Sequence, residues 1–236
     1  MKRIKRKKEI RNIFLRYFGL QRCYIPKFLI KNNQELYDKV VADIIVSKFF
    51  DFEDFTFLQV GGYDGLSNDI IKPLMNRISM RGVIAEPQSN VYDSLKESYS
   101  DNKNISVIDS GVSDSDCIQE FYQTNGYSSK VCSLNKEHLL KHKIPLQDII
   151  ATKVKFLTIN SIIDMHKLGN LNLLQIDAEG HDFRIIKSID FDVSRPQIIR
   201  FESDHMSNVE LKEILGILVF YKYKFYTESR DITAIL

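Results

Sequence analysis

Short apolar runs in this chain repeatedly stop on a glycine or an acid, and helical spacing follows most of them. Phe57-Leu58-Gln59-Val60 runs into Gly61-Gly62-Tyr63-Asp64-Gly65, and Gly82-Val83-Ile84-Ala85 into Glu86-Pro87. Ile105-Ser106-Val107-Ile108 ends on Asp109, the run from Leu171 to Ile176 on Asp177-Ala178-Glu179-Gly180, and Gln197 to Phe201 on Glu202. Strands alternating with helices predict an α/β fold built on a mostly parallel, doubly wound sheet. Helices are expected over about 67–77, with Pro73 in its first turns, then from a Ser89 cap to about 99, over 159–166, 182–189 and 209–218. The last two runs, 223–227 and 231–235, are joined only by Glu228-Ser229-Arg230 and must form an antiparallel hairpin.

In an open parallel sheet, ligands bind beyond the carboxyl ends of the strands, where these glycines and acids fall. Glycines after the first strand let the backbone approach a ligand closely, and Glu86, 25 residues after Gly61, is placed to accept hydrogen bonds from ribose hydroxyls. Both features suit any ribose-bearing cofactor. A dinucleotide needs a bare helix N-terminus for its pyrophosphate, usually through G-x-G-x-x-G. Here Gly61 and Gly62 are adjacent and Asp64 adds a negative charge, which disfavours pyrophosphate and suits the ammonium and sulfonium of S-adenosylmethionine. A tight turn with no ligand is the plain alternative.

These residues carry a family resemblance. The run from Leu58 through Gly65 to Glu86-Pro87 resembles the FkbM-type S-adenosylmethionine-dependent methyltransferases, as does Leu174-Gln175-Ile176-Asp177-Ala178-Glu179-Gly180-His181-Asp182, similar to that family's D-x-E-G signature. Phe201-Glu202 with His205-Met206, Asp231-Ile232-Thr233-Ala234, and Ser128-Ser129 before Leu134 and Glu137-His138 resemble further blocks, in order, over about residues 55–236. One departure is that Gly62-Tyr63 stands where the family loop usually reads G-A-N-D-G. The resemblance implies a Rossmann-like class I methyltransferase fold and O-methylation. It implies that Gly61, Gly62, Asp64 and Gly65 hold the donor's methionyl part, that Glu86 binds its ribose, and that Asp109 meets the adenine, with the backbone of Ser110 or Val112 as the alternative.

Methyl transfer is an in-line displacement at an activated carbon, so alignment of the acceptor dominates. A sugar hydroxyl is a poor nucleophile and needs a base or a metal to take its proton. Asp177, His181 and His205 are the candidates, a histidine as base with Asp177 as its orienter or substitute. A divalent metal is not demanded; if present, Asp177, Glu202 and His205 would hold it. Plainer readings stand beside these: Glu179 and Asp182 as acids at a helix start, and Glu202, Asp204 and His205 as a surface loop. His138, His142 and His166 read as solvated, although His138 and His142, at i and i+4, could touch an acceptor.

Charge divides the chain. Residues 1–31 hold eleven basic side chains and one acid, a net +10, so the remaining 205 residues carry 22 basic and 30 acidic groups, a net −8. Residues 1–50 are expected to form a basic arm with two helices, at 9–20 and 34–50, and residues 51–236 the methyltransferase domain, with 113–150 an irregular insertion on the acceptor side and 153–157 an edge strand. Arg16 interrupts the arm's apolar stretch from Ile13 to Leu20 and Arg22 follows it, with no small-residue cleavage site, which disfavours a secretory signal, and no run approaches the ~20 residues of a membrane span. Three widely spaced cysteines fit a reducing compartment. A cytoplasmic protein is expected. Its arm is a solvated tail, a nucleic-acid contact, or a peripheral anchor at the inner membrane face, each Lys or Arg there contributing about 1 kcal/mol. The acceptor class is a hydroxyl of a glycan, glycolipid or small molecule, as in polysaccharide biosynthesis. An NAD-dependent oxidoreductase, a nucleic-acid-binding protein and an RNA methyltransferase are the alternatives, although no specific nucleic-acid motif is present.

Overall fold

The computed structural model describes residues 22–23, 41–42, 45, 54–66, 70–125, 131–228 and 230–236. The expected helix at 9–20 lies outside the described residues, as does most of the basic arm. Of the helix expected over 34–50, Val41, Ala42 and Ile45 are described, and they are helical and buried.

The strands are β1 (Arg22–Cys23), β2 (Phe55–Val60), β3 (Met80–Ala85), β4 (Ile105–Ile108), β5 (Gly111–Val112), β6 (Cys117–Thr124), β7 (Ile149–Leu157), β8 (Leu173–Ile176), β9 (Ile198–Glu202), β10 (Lys224–Glu228) and β11 (Asp231–Ile235). The helices are α1 (Ile71–Met75), α2 (Ser89–Ser98), α3 (Lys136–Lys141), α4 (Ile159–Met165), α5 (Asp182–Lys187) and α6 (Asn208–Phe220). The main sheet has the order β1-β10-β11-β9-β8-β2-β3-β4. Its central strands β4, β3, β2, β8 and β9 run parallel, while β11 pairs antiparallel with both β9 and β10. The expected hairpin is therefore present, with its second strand inserted beside the parallel core.

Alternation along the central strands decides which side chain enters which layer. Leu58 and Val60 of β2, Leu174 and Ile176 of β8, and Ile199 and Phe201 of β9 face one cluster, packed on Ile185 and Ile186 of α5 and Leu211, Ile214 and Leu215 of α6. Phe55 and Phe57, with Ile84, Leu173 and Ile198, face the other, packed on Ile71, Leu74, Leu95 and the helical Val41, Ala42 and Ile45. Strands buried on both faces read as continuous apolar runs, which is why they stand out in the sequence.

Local chemistry sets the helix starts. α6 begins with a capping box, in which Ser207 Oγ accepts from Glu210 N and Glu210 Oε2 accepts from Ser207 N. Pro73 is the third residue of α1, where its missing N–H has no intrahelical partner. Ser89 is the first helical residue of α2 and not its cap; Gln88 occupies that position.

The described residues of the segment expected to be irregular contribute to a second sheet, β5-β7-β6. β6 pairs antiparallel with β7 from Cys117↔Phe156 to Thr124↔Ile149, and β5 pairs with the other side of β7. The strand expected at an edge is thus a central one. Polar side chains alternate with apolar ones along β6 and β7, and only a few (Phe121, Phe156, with Cys132) are buried in its small core, so the apolar signal is weak in the sequence.

Candidate active site

Continuing ladders hold the strand ends in register. Gly61 N donates to Ala85 O (2.9 Å), Asp177 N to Val60 O (3.0 Å) and Glu86 N to Ile108 O (3.1 Å). The strand order reverses between β2 and β8, and a cavity of about 700 Å³ opens there, lined by Gly61, Gly62, Tyr63, Glu86, Asp177, Glu179, His181, Glu202 and His205 among others.

The turn after β2 demands glycine. Gly61 has φ +81, and a Cβ there would stand 2.0 Å from the Asp177 carbonyl oxygen, so the β2 and β8 ends touch through backbone. A Cβ on Gly62 would meet Ile84 at 2.4 Å. Tyr63 takes φ +45, a left-handed conformation that Asn adopts more readily, at the position where the resembled loop has Asn. Glu86 secures this turn: its Oε2 accepts from Tyr63 N (2.7 Å) and its Oε1 from Gln88 N (2.9 Å). Burial pushes the Glu86 carboxyl up to about 7, against the lowering effect of those hydrogen bonds. Gln59 Oε1 and Gln88 Oε1, both on residues lining the cavity, and the nearby Ser110 Oγ are buried and carry no hydrogen bond within the described residues.

Asp64, Gly65 and Asp109 do not line the cavity. Asp64 Oδ1 accepts from Leu66 N (2.9 Å) and its carbonyl from Ser98 Oγ, which ties the turn to α2. Gly65 has φ +66 and packs against Leu95, Tyr99 and Ser98. Asp109 is exposed, whereas the neighbouring Gly111 and Val112 reach the wall.

At the other lip, carboxylates and imidazoles converge. Asp177, after β8, is raised to about 6 by burial and by the charges of Glu179 and Asp231, with Arg200 pulling the other way. Glu202 is the last residue of β9, not part of a loop, and burial beside Asp177 raises it to about 8. His205 Nε2 lies 3.3 Å from Glu202 Oε2 and 3.6 Å from Glu179 Oε2, and the Glu179 carboxylate holds its pKa above the usual imidazole range. Burial alone would raise Glu179, but the His138 and His205 imidazoles lower it to about 2. Glu179 does not cap a helix; it takes φ +47 and faces these two rings. His181 is the N-cap residue of α5; its Nε2 is 2.9 Å from Ser113 Oγ, and burial lowers its pKa. Asp182 is fully buried, accepts from Ala178 N (3.3 Å), and is raised to about 7 by burial and Asp177. It braces the turn from within.

Sequence reasoning missed the cavity floor. Gln59, Gln175 and Arg200 are in register across β2, β8 and β9 and all line the cavity. Arg200 is buried, donates to Gln175 Oε1 (3.2 Å) and pairs with Asp231. The signal was available: each is a polar residue set between two apolar ones, one place before the last apolar residue of its strand, as in Leu58-Gln59-Val60, Leu174-Gln175-Ile176 and Ile199-Arg200-Phe201.

The parallel sheet reversing at β2/β8, with β11 antiparallel beside β9, is the class I Rossmann-like methyltransferase architecture. The methyltransferase FkbM domain model matches residues 59–225, and the chain belongs to this family of S-adenosylmethionine-dependent methyltransferases. Among solved structures, it is similar to methyltransferase FkbM from Methylobacillus flagellatus KT, at 14% identity and TM-score 0.50 over 78% of this chain and 44% of that one. The chain therefore spans less than half the length of that relative. Weaker likenesses are to precorrin-6y C5,15-methyltransferase from Geobacter metallireducens GS-15 (11% identity, TM-score 0.44, 84% of this chain and 88% of that one) and to the N-terminal domain of human METTL16 in complex with SAH (12% identity, TM-score 0.41, 94% and 78%). No curated protein matches the chain. The family match does not favour the oxidoreductase alternative. No helix among the described residues is long and apolar enough to cross a membrane.

Proposed function

We propose that the chain methylates a hydroxyl oxygen, with a sugar hydroxyl of a glycan or glycolipid as the acceptor class. The observation that carries this reading is the meeting of a glycine-built turn with proton-accepting side chains, Asp177 and His205, across one cavity. Bound S-adenosylmethionine would supply an activated methyl carbon.

The residues present fit that donor. Gly61 and Gly62 face the cavity with backbone alone, their Cβ directions being closed by the Asp177 carbonyl and by Ile84 and Leu95, and Glu86 retains acceptor capacity beside Gln88 Oε1, which has no hydrogen-bond partner among the described residues. Glu86 would take the ribose hydroxyls, and the backbone near Gly111 and Val112, not Asp109, the adenine edge. Asp64 and Gly65 shape the turn from behind it.

On the acceptor side, His205 removes the proton from the hydroxyl, and Glu202 and Glu179 hold the imidazole and favour its protonated form. Asp177 orients the hydroxyl. His181, kept mostly neutral by burial and fixed to Ser113, is the alternative base. A methyl-transfer assay on sugar acceptors with His205→Ala and His181→Ala tests this. A loss of ~100-fold or more in kcat in the first and less in the second supports the assignment, and the reverse order reassigns the base.

The +10 arm is proposed to bring the enzyme to an anionic membrane surface, where lipid-linked glycans are presented. Vesicles containing about 30% anionic lipid should retain the full chain and release a chain lacking residues 1–11; equal retention of both removes this reading.

A further inference from the structure

The rim of the cavity carries a side-chain cluster larger than proton removal requires. His138 and His142 lie one turn apart at α3, and His205 follows β9. Ring centroids are 4.7 Å apart for His138–His142 and for His138–His205, and 5.9 Å for His142–His205. Each ring offers a nitrogen within 4.8 Å of the others. Glu179 Oε2 is 3.5 Å from His138 Nε2 and 3.6 Å from His205 Nε2, and Glu202 Oε2 is 3.3 Å from His205 Nε2.

These separations match a shared cation better than hydrogen bonds. Charge-assisted N–H···O bonds run to about 2.7–2.9 Å. A tetrahedral ion about 2.0–2.1 Å from each ligand separates its donors by about 3.3–3.4 Å. The carboxylate–imidazole distances here lie within a few tenths of that edge. His138 Nε2 is shielded from solvent and makes no hydrogen bond, although it points at the Glu179 carboxylate. Two residues in the left-handed region, Glu179 (φ +47) and Gly180 (φ +94), turn that carboxylate toward the rings.

We propose that His138, His142, His205 and Glu179 bind one divalent first-row transition-metal ion, with Glu202 supporting His205. Imidazole nitrogens with a single carboxylate suit Zn²⁺, Mn²⁺, Fe²⁺ or Co²⁺, whereas Mg²⁺ and Ca²⁺ prefer all-oxygen sets. The set differs from the Asp177, Glu202 and His205 expected from sequence, sharing only His205 as a direct ligand; with the ion bound, His205 is not free to take the acceptor proton, and that step falls to His181. The ion joins α3 of the inserted segment to the turn after β8 and to the residues after β9, so it fixes the acceptor-side wall against the sheet. Metal binding stands on this geometry alone and does not depend on the acceptor being a sugar.

The test is metal titration of the full chain after chelator treatment, read by elemental analysis, by calorimetry with Zn²⁺, and by the visible absorption of Co²⁺. One equivalent binds at micromolar or tighter affinity, with a Co²⁺ spectrum of low coordination number, and the melting temperature rises. His138→Ala and Glu179→Gln each weaken binding at least tenfold, while His166→Ala, away from the cluster, leaves it unchanged. Absence of binding to wild-type protein at millimolar Zn²⁺ overturns the proposal without any variant having to fold. Binding unaffected by His138→Ala and Glu179→Gln overturns it equally. Titration of the metal-free protein with S-adenosylhomocysteine separates the two readings: donor binding without metal binding defeats only the metal site.

Discussion

The two lips of the cavity are built by different means. The lip proposed to hold the donor, from β2 and β3, is mostly backbone: glycines in close contact, one buried glutamate fastened to two N–H groups, and helices packed behind the turn. The acceptor lip, from β8, β9 and α3, is mostly side chain, with carboxylates and imidazoles gathered from residues 138 to 205 and perturbed by one another. A site made of backbone tolerates little substitution and binds one ligand class. A lip made of side chains can change its chemistry without disturbing the fold. That contrast explains why the family and donor are evident while the acceptor is a matter for experiment.

The largest effect is expected where the donor lip has no slack. Gly61→Ala places a methyl group against the Asp177 carbonyl at a positive φ, so it should cost about 3 kcal/mol or more of stability and abolish donor binding. Denaturant melts and S-adenosylhomocysteine titration check both. A variant as stable as wild type would show the lips are not in backbone contact.

Next comes Glu86→Ala, which removes charge-assisted hydrogen bonds worth about 1.5–3 kcal/mol and should weaken the donor about 10- to 100-fold. Asp64→Ala should weaken it less, since Asp64 braces the turn from outside the cavity. Equal losses would return Asp64 to the site.

The acidic groups predict an unusual pH profile for the metal-free protein. Glu86, ordinarily 4.5, titrates near 7 when folded, and Asp182 and Asp177 are raised to about 7 and 6. Each contributes stability that is full below its unfolded value and lost as pH rises through its folded value. Glu202, raised from 4.5 to about 8, acts in the same sense, so stability should fall between about pH 4 and 8, with Glu86 contributing up to roughly 3 kcal/mol. Glu179, lowered to about 2, acts in the opposite sense, its stabilisation being lost as pH falls from 4.5 toward 2. Thermal melts against pH should show the decline toward neutrality, reduced in Glu86→Gln; a rise between pH 5 and 7 would contradict the burial of these groups. Asp109→Ala, at the exposed end of the donor side, should change donor affinity least of all.

The donor lip was legible in the sequence because contiguous residues make it: Gly61-Gly62 and Glu86 sit where apolar runs stop. Periodicity likewise exposed the central strands, whose two faces are both buried. Asp64 and Asp109 stand outside the cavity lining, since adjacency to a strand end does not decide which way a side chain points. The acceptor lip was less legible. No spacing rule links His138 and His142 to His205 and Glu179, which meet only after β6 and β7 pair across 24 intervening residues. Arg200 was hidden for a different reason: a buried cation within an apolar strand is compensated by Gln175 and Asp231, partners that only strand register brings alongside.

The β2/β3 lip is proposed to hold the donor. Calorimetric titration of S-adenosylhomocysteine into the full chain, wild type and Glu86→Ala side by side, decides this. One site per chain is expected, with affinity at least tenfold weaker in Glu86→Ala while far-ultraviolet circular dichroism is unchanged. No binding at millimolar ligand by folded wild-type protein, or equal affinity in the two, would contradict it.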